Sequence, residues 1–567
     1  MKTISNKLNN FLEQYLPFIG LTIGMIVFFL IYGYEILNPT VIDWLMQGDP
    51  AQIFLGWHFF RSEPFSFPIG LMTTYVHPSS TSIIFTSSIP LLAIPLKIIA
   101  PYLPPIFQYL GIWLLLCYAL QGLFAVILLK RFTTKPLLVL LGVCFFLLSP
   151  VLAHRAQVHL ALCAHWIILA ALYLYLGNYT LSTKIRWIAL LAIALMVHFY
   201  LFVMAGVVFA GFLSKPLLDN FRSNWFSVFT ISIVSIATLL MLMWILGYFV
   251  IGIAGAPGPE FGKHSMNIIS PVNPFIKPTD PALLINPNKI SSFLEPLPLL
   301  DYQTHEAFNY FGLGLILLLS VALYYLLSQK QLSIKKQHIP LACISILLLL
   351  LALSNKITFL DKTIIDINLN IYFYAFFGLL RASGRMFWPV TYILILSAVV
   401  IITRFSNYRR AAITLLIGVM IQILDLAPYY KSITLENRYW HNSLESDAWG
   451  ELITKYNHVF LTPDTASYIP FAFIAANHGK TFNAGSIARK KRVLSNVTLA
   501  DFGSYKSGFK TLQSFKSLQK THNEKLSLNH DTLYIVDRES FRELETLSNV
   551  DAVVLDGYYV IAPKPTS

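Results

Sequence analysis

The stretch LPFIGLTIGMIVFFLIYGYEIL, Leu16 to Leu37, decides the fold. Its single charged residue, Glu35, stands near the end, and as a helix it is long enough to cross about 30 Å of hydrocarbon. Runs of the same character recur as far as Ala427, without the polar residue every few positions that a buried core helix would carry. Hydrophobic residues make up 56% of the chain and charged ones 12%, with a mean hydropathy of +0.62. A water-soluble domain carries about 25% charged residues, so most of this chain cannot cover itself with a wetted surface. An all-α polytopic membrane domain is expected. The first run lacks a small-residue cleavage site and reads as a retained span.

The net charge of +13 does not point to nucleic acid, because the basic residues gather in short loops between apolar runs. Lys130, Arg131 and Lys135 form one such group, Lys184 and Arg186 a second, and Lys215 and Arg222 a third. Lys330, Lys335 and Lys336, then Arg404, Arg409 and Arg410, complete the series. Cationic loops of this kind set the orientation of membrane proteins and mark the cytoplasmic side. Cys117, Cys144, Cys163 and Cys343 all lie in apolar runs and read as small buried hydrophobes rather than as disulfide or metal ligands.

Lys2 and Lys7 put the N-terminus inside, and the first run carries the chain out. The apolar stretch Ser80–Ala100 is read as re-entrant or interfacial, interrupted by Pro90 and Pro95, because a crossing there would place Lys130 and Arg131 outside. Two helices meeting near His198–Phe199 are expected within the long run 187–213, since broken helices are tolerated at membrane depth only where they line a buried or wet cavity. About eleven crossings result. The membrane domain, residues 1–430, then has outer loops at 38–105, 253–306 and 355–385. From 431 to 567 charges, Asn and Ser become common. Short apolar runs at His458–Leu461, Thr532–Val536, Ala552–Leu555 and Tyr558–Ala562 alternate with helix-like stretches at Leu444–Tyr456 and Arg538–Leu547. This predicts a small extracytoplasmic α/β domain.

Ionisable residues against apolar walls are the candidate site. Asp49 begins an aromatic-rich segment of the first outer loop, Gly48-Asp-Pro-Ala-Gln-Ile-Phe-Leu-Gly-Trp-His-Phe-Phe-Arg-Ser-Glu63. It has the chemistry of a general base for a hydroxyl nucleophile, and equally that of a helix N-cap ahead of Pro50. His154, Arg155 and His159 stand at one end of a span, with His165 deeper, and suit either an anionic substrate or an interfacial anchor. His198 falls at the expected helix break. His264 lies in the second outer loop with Glu260, Asp301, His305 and Glu306. Arg381 and Arg385 share a face if their segment is helical. A guanidinium grips phosphate oxygens by forked hydrogen bonds, and the alternative partners for these two are Asp301, Glu306 or lipid headgroups.

At Gly48-Asp-Pro-Ala-Gln52, Leu55-Gly-Trp-His-Phe-Phe-Arg-Ser62, Ser88-Ile-Pro-Leu91, Gly262–Pro274 and Arg381-Ala-Ser-Gly-Arg-Met-Phe-Trp388, the chain resembles an uncharacterised family of large bacterial membrane proteins. That family is similar to the GT-C class of glycosyltransferases, which use polyprenyl-phosphate sugars. The resemblance implies a catalytic carboxylate in the first outer loop, which falls on Asp49. It also implies basic residues on the lipid phosphate: Arg385 and Arg381, supported by His198, His154, Arg155, His264 and Arg61. Many GT-C enzymes carry a double acidic pair in that loop. Here Pro50 follows Asp49, so a divalent cation is possible but unsupported, and no cofactor is expected. The implied partners are a polyprenyl-phosphate-linked sugar, a glycan or glycoconjugate acceptor and membrane lipids, with no nucleic acid. The implied location is a bacterial inner membrane. A flippase for a lipid-linked saccharide and a non-catalytic assembly protein are the alternatives.

Overall fold

The computed structural model describes all residues except 1, 252–260, 277–288, 301–302, 329–335, 434–437, 463–466, 488–527 and 565–567. Glu260, Asp301, Lys330 and Lys335 therefore lie outside the described residues. The chain divides into two packed units. The first comprises Met1–Asn38, Tyr109–Leu240 and Ala256–Asn437; the second comprises Pro39–Gln108, Met241–Gly255 and Arg438–Ser567.

Among the described residues seven helices are long and apolar enough to cross a membrane: Gln14–Tyr32, Leu110–Leu129, Phe199–Asp219, Phe221–Leu246, Lys336–Leu353, Ser383–Phe405 and Tyr408–Ser432. A bent pair, Pro136–Leu147 with Pro150–Val158, makes an eighth if counted as one span. The protein is thus a multi-pass membrane protein. Among the described residues these spans are fewer than the expected eleven, because some apolar runs form helices too short by this measure. Leu313–Leu327 is one, with 15 residues. Only 17% of the most apolar window of Phe221–Leu246 is buried, leaving Phe226, Phe229, Ile233 and Met241 exposed. Such a face is stable only where the surrounding solvent is hydrocarbon.

In the first unit, helices Lys2–Tyr32 and Leu110–Leu129 meet backbone to backbone. A Cβ on Gly24 would lie 2.1 Å from the Tyr118 carbonyl oxygen, and one on Gly122 would lie 2.1 Å from that of Gly20. The Gly20-Leu-Thr-Ile-Gly24 spacing is the small-residue contact that lets membrane helices approach closely. The bent pair has a local cause. Pro150 cannot donate to the Phe146 carbonyl, four residues back, and Gln121 Nε2 donates to it instead at 3.2 Å. Gln422 Nε2 donates to Leu148 O at 3.3 Å, so the freed carbonyls at the bend are satisfied. The helix break expected near His198 is present: Leu181–Val197 and Phe199–Asp219 meet at extended His198, whose Nδ1 accepts from Tyr200 N. The second of these helices has 21 residues and is long and apolar enough for a full crossing, not a half-helix.

In the second unit, the four expected tail strands and an unforeseen one, Thr481–Phe482, form a five-stranded sheet in the order Thr481–Phe482, His458–Leu461, Thr532–Val536, Tyr558–Pro563, Val550–Leu555. The first three run parallel and the last two pair antiparallel. Helices Ala448–Thr454 and Arg538–Leu544 fall where expected; Tyr468–Asn477 was not foreseen. The first outer segment belongs to this unit. Thr74 O accepts from Phe482 N at 2.8 Å and Phe482 O from His77 N at 2.9 Å, which extends the sheet edge. Ser80–Ala100 holds the helix Pro90–Ile98, whose nine residues are too few to span.

Candidate functional site: a buried arginine–glutamate–histidine cluster

Glu306 is the hub of the first unit's polar interior. It lies in a short 3-10 turn, His305–Ala307, capped by the Thr304 hydroxyl, which accepts from Glu306 N. Arg385 Nε donates to its Oε2 at 2.7 Å, and Arg385 Nη2 donates to Oε1. Arg155 Nη1 lies 2.9 Å from Oε2. On the other side His159 Nε2 is 2.8 Å from Oε1 and His305 Nε2 is 3.4 Å from it. Glu306 and Arg385 are buried, and Arg155 is 0% exposed. Burial by itself raises the Glu306 carboxyl. The charges of Arg155 and Arg385 outweigh that and hold it well below the usual carboxylate range.

Local sequence places each group. Pro150 starts the second limb of the bent pair, and His154 and Arg155 ride on it. Gly384 gives the Arg385 segment its close approach: a Cβ there would lie 2.9 Å from Glu306 O and 3.1 Å from His264 O. Gly384 N donates to His264 O, and Asn309 Nδ2 to Gly384 O. The break at His198 brings Tyr200 under the site, where its hydroxyl accepts from Ala382 N at 2.9 Å. The Arg385 guanidinium lies 4.7 Å from the centre of the Tyr200 ring, and that of Arg155 lies 5.1 Å from Trp388. Trp388 is also packed against His165, whose Nδ1 is hydrogen-bonded to Tyr392.

Of the residues singled out from sequence, Arg155, His154, His198, His264 and Arg385 come together here. His154 packs edge-on to His305 and Phe308. His264 Nδ1 is hydrogen-bonded to Thr304 Oγ1, and burial pushes its imidazole down to about 4. Burial, and then Arg385, likewise hold His159 down to about 3. Arg381 does not share a helix face with Arg385. Ala382, at φ −86° and ψ 64°, separates it from the 3-10 turn Ser383–Phe387, so Arg381 is exposed while Arg385 is buried. Of the alternative partners for the arginines, Glu306 takes Arg385; Asp301 lies outside the described residues. Sequence reading treated Glu306 as one possible partner and missed it as the hub. Two arginines and several histidines in runs otherwise free of acids were the available signal.

Asp49 and Arg61 lie in the second unit. Helix Gly48–Phe60 is preceded by extended Gln47 as its cap, so Asp49 stands in the first turn rather than at the N-cap. Gly48 has φ +54°, which a side chain would strain. A carboxylate in a first turn is favoured by the helix dipole. The Arg61 guanidinium donates to the carbonyls of Pro104, Pro105, Ala100 and Leu103. Its neighbour Glu63 accepts from the backbone and hydroxyl groups of Thr73 and Thr74, at 2.6 to 3.0 Å.

His159, His305 and Glu306 also bring three potential metal-ligand atoms within 4.8 Å of one another. Both Glu306 oxygens already face guanidinium groups, and a dication there would add like charge to a buried cationic site. The donor set suits an anion better. Arg155 Nε and Nη2 and both nitrogens of His154 have no hydrogen-bond partner among the described residues. Buried donors in that state are costly unless a ligand uses them.

No curated protein matches the chain. Residues 21–427, well over half its length, match the model of a family described as a domain of unknown function, DUF6311, and the chain belongs to that family.

Proposed function

We propose that this protein is a membrane glycosyltransferase of GT-C type, moving a sugar from a polyprenyl-phosphate donor to an extracytoplasmic glycan or glycoconjugate. The observation that carries the reading is the convergence of Arg155, Arg385 and the surrounding histidines on one buried spot of the membrane unit. Oriented donors in a dry site stabilise developing phosphate charge far better than they would in water. In this reading Arg385 and Arg155 hold the departing lipid phosphate, with exposed Arg381 at the rim. Asp49 takes the proton of the acceptor hydroxyl as it attacks the anomeric carbon. The N-terminus faces the cytoplasm, the tail domain lies outside, and the shorter apolar helices complete about eleven crossings in a bacterial inner membrane.

The test is incubation of purified full-length protein, in lipid, with a panel of radiolabelled polyprenyl-phosphate sugars. Transfer or release of sugar that disappears in Asp49→Asn, with the protein still folded, is expected. Saturable binding of a lipid-linked saccharide without turnover would instead favour the flippase reading, which uses the same anion site. An unchanged rate in Asp49→Asn removes Asp49 as the base.

A further inference from the structure

We propose that the Glu306 carboxylate is a resident counter-anion in a phosphate site, and that an incoming phosphate group displaces it from Arg155 and Arg385. The inference deepens the phosphate-binding part of the reading above.

Three observations carry it. The guanidinium groups are held independently of Glu306, by the ring faces of Trp388 and Tyr200 at 5.1 and 4.7 Å. Cation–π contacts of that kind persist when the anion changes, so the positive site does not collapse when the carboxylate leaves. Next, the carboxylate uses only part of the donor set. Arg385 engages it by a fork, while Arg155 offers one Nη1 contact and keeps Nε and Nη2 without a hydrogen bond among the described residues, and neither His154 nitrogen has a partner among them, so the one N–H of that ring is also unused. Two carboxylate oxygens cannot saturate two guanidiniums; a phosphate group has more oxygens to share among them. Finally, the displaced carboxylate has somewhere to go. His159 lies 2.8 Å from its Oε1, His305 lies 3.4 Å away, and the His159 side chain is 21% exposed. A pivot towards these rings moves the charge to the rim without leaving it unpartnered. One carboxylate against two arginines leaves the cluster with an excess positive charge. That favours exchange for a phosphate, which can carry a second negative charge.

The experiment measures binding of inorganic phosphate and of dodecyl phosphate to the purified full chain in detergent, for the wild type, Glu306→Gln and Arg385→Gln. Removing the competing charge while keeping the side-chain shape should tighten phosphate binding by about tenfold or more in Glu306→Gln. Phosphate should also raise the thermal midpoint of that variant more than that of the wild type. Arg385→Gln should lose binding of both ligands. Tighter binding of dodecyl phosphate than of inorganic phosphate would identify the ligand as a lipid phosphate; equal affinities would identify it as free phosphate. Equal or weaker phosphate binding in a folded Glu306→Gln overturns the proposal. So does a stoichiometric transition metal in the purified wild type that is lost in Glu306→Gln. Tighter phosphate binding in Glu306→Gln alongside absence of sugar transfer in the wild type would leave this inference standing and sink the transferase reading.

Discussion

At the scale of single residues the two polar interiors behave differently. Arg385 binds Glu306 through Nε and Nη2 together, and its guanidinium lies over Tyr200. Lysine keeps the charge but has neither the fork nor the flat face. Arg385→Lys should therefore destabilise the protein by about 1.5–3 kcal/mol, the worth of hydrogen bonds to a charged partner. A thermal midpoint equal to the wild type's would mean that the pair contributes nothing net. In the second unit His58 is stacked between Phe54 and Phe473, with Nε2 on Asn477 Oδ1 at 2.8 Å. Burial lowers its imidazole to about 4; the Asn477 hydrogen bond opposes this, and Arg61 adds to it. The unfolded chain takes up that proton near pH 6.5, so between 6.5 and 4 the unfolded state binds more protons than the folded one. The contribution of neutral His58 is whole above pH 6.5 and falls as pH drops through that window, by roughly 3 kcal/mol at its lower end. His58→Phe should flatten the dependence of the thermal midpoint on pH between 6.5 and 4. An unchanged slope would assign the acid sensitivity to His159 and His264, both lowered likewise.

At the scale of elements, the helix crossings are decided by where a side chain is missing. Gly24 faces the Tyr118 carbonyl so closely that Gly24→Val must push helices Lys2–Tyr32 and Leu110–Leu129 apart, at about 1–3 kcal/mol or more. It would also strain the hydrogen bond between Tyr32 and Tyr118, whose hydroxyls are 2.9 Å apart. Gly206 is the control, since nothing lies within 4 Å of where its Cβ would be, inside helix Phe199–Asp219. Gly206→Ala should stabilise by about 0.5–1 kcal/mol through helix propensity alone. Similar thermal shifts in the two variants would deny the close crossing. The same scale shows what sequence could and could not reveal. Apolar length gave most of the crossings, and the short apolar runs His458–Leu461 and Thr532–Val536, buried along nearly their whole length, gave the tail strands, because both signals are local. Thr481–Phe482 has two residues and no period to read. The bend at Pro150 was hidden because its compensating donors, Gln121 and Gln422, are distant in sequence.

For the whole molecule, the division into units follows contacts that no local pattern announces. Arg155 and Glu306 are about 150 positions apart, so the candidate residues could be named one by one while their hub could not. The same holds for the second unit, where the segment from Pro39 to Gln108 packs with a tail some 400 residues further on. Phe54 and His58 of its helix pack on Phe473, Gln52 Oε1 accepts from Ser486 Oγ, and Tyr75 OH donates to Ser486 O. Gly485 has no side chain because the Tyr75 ring already occupies that space, 2.4 Å from where a Cβ would lie. The tail is thus part of the fold of the Asp49-bearing segment and not a separable appendage. Ending the chain after residue 437 would remove the partner strand of Thr74–His77 and uncover Phe54, His58 and Tyr75, all buried in the intact unit. Backbone groups stripped of their ladder and apolar rings turned to water favour local opening. Limited proteolysis of the truncated protein should therefore cut between residues 61 and 82 much faster than in the full chain, while the helices from Leu110 onward keep their protection. Equal protection of 61–82 in both proteins would mean that this segment reaches its fold without the tail, and Asp49 would then be positioned by the segment's own contacts, such as those of Glu63 with Thr73 and Thr74.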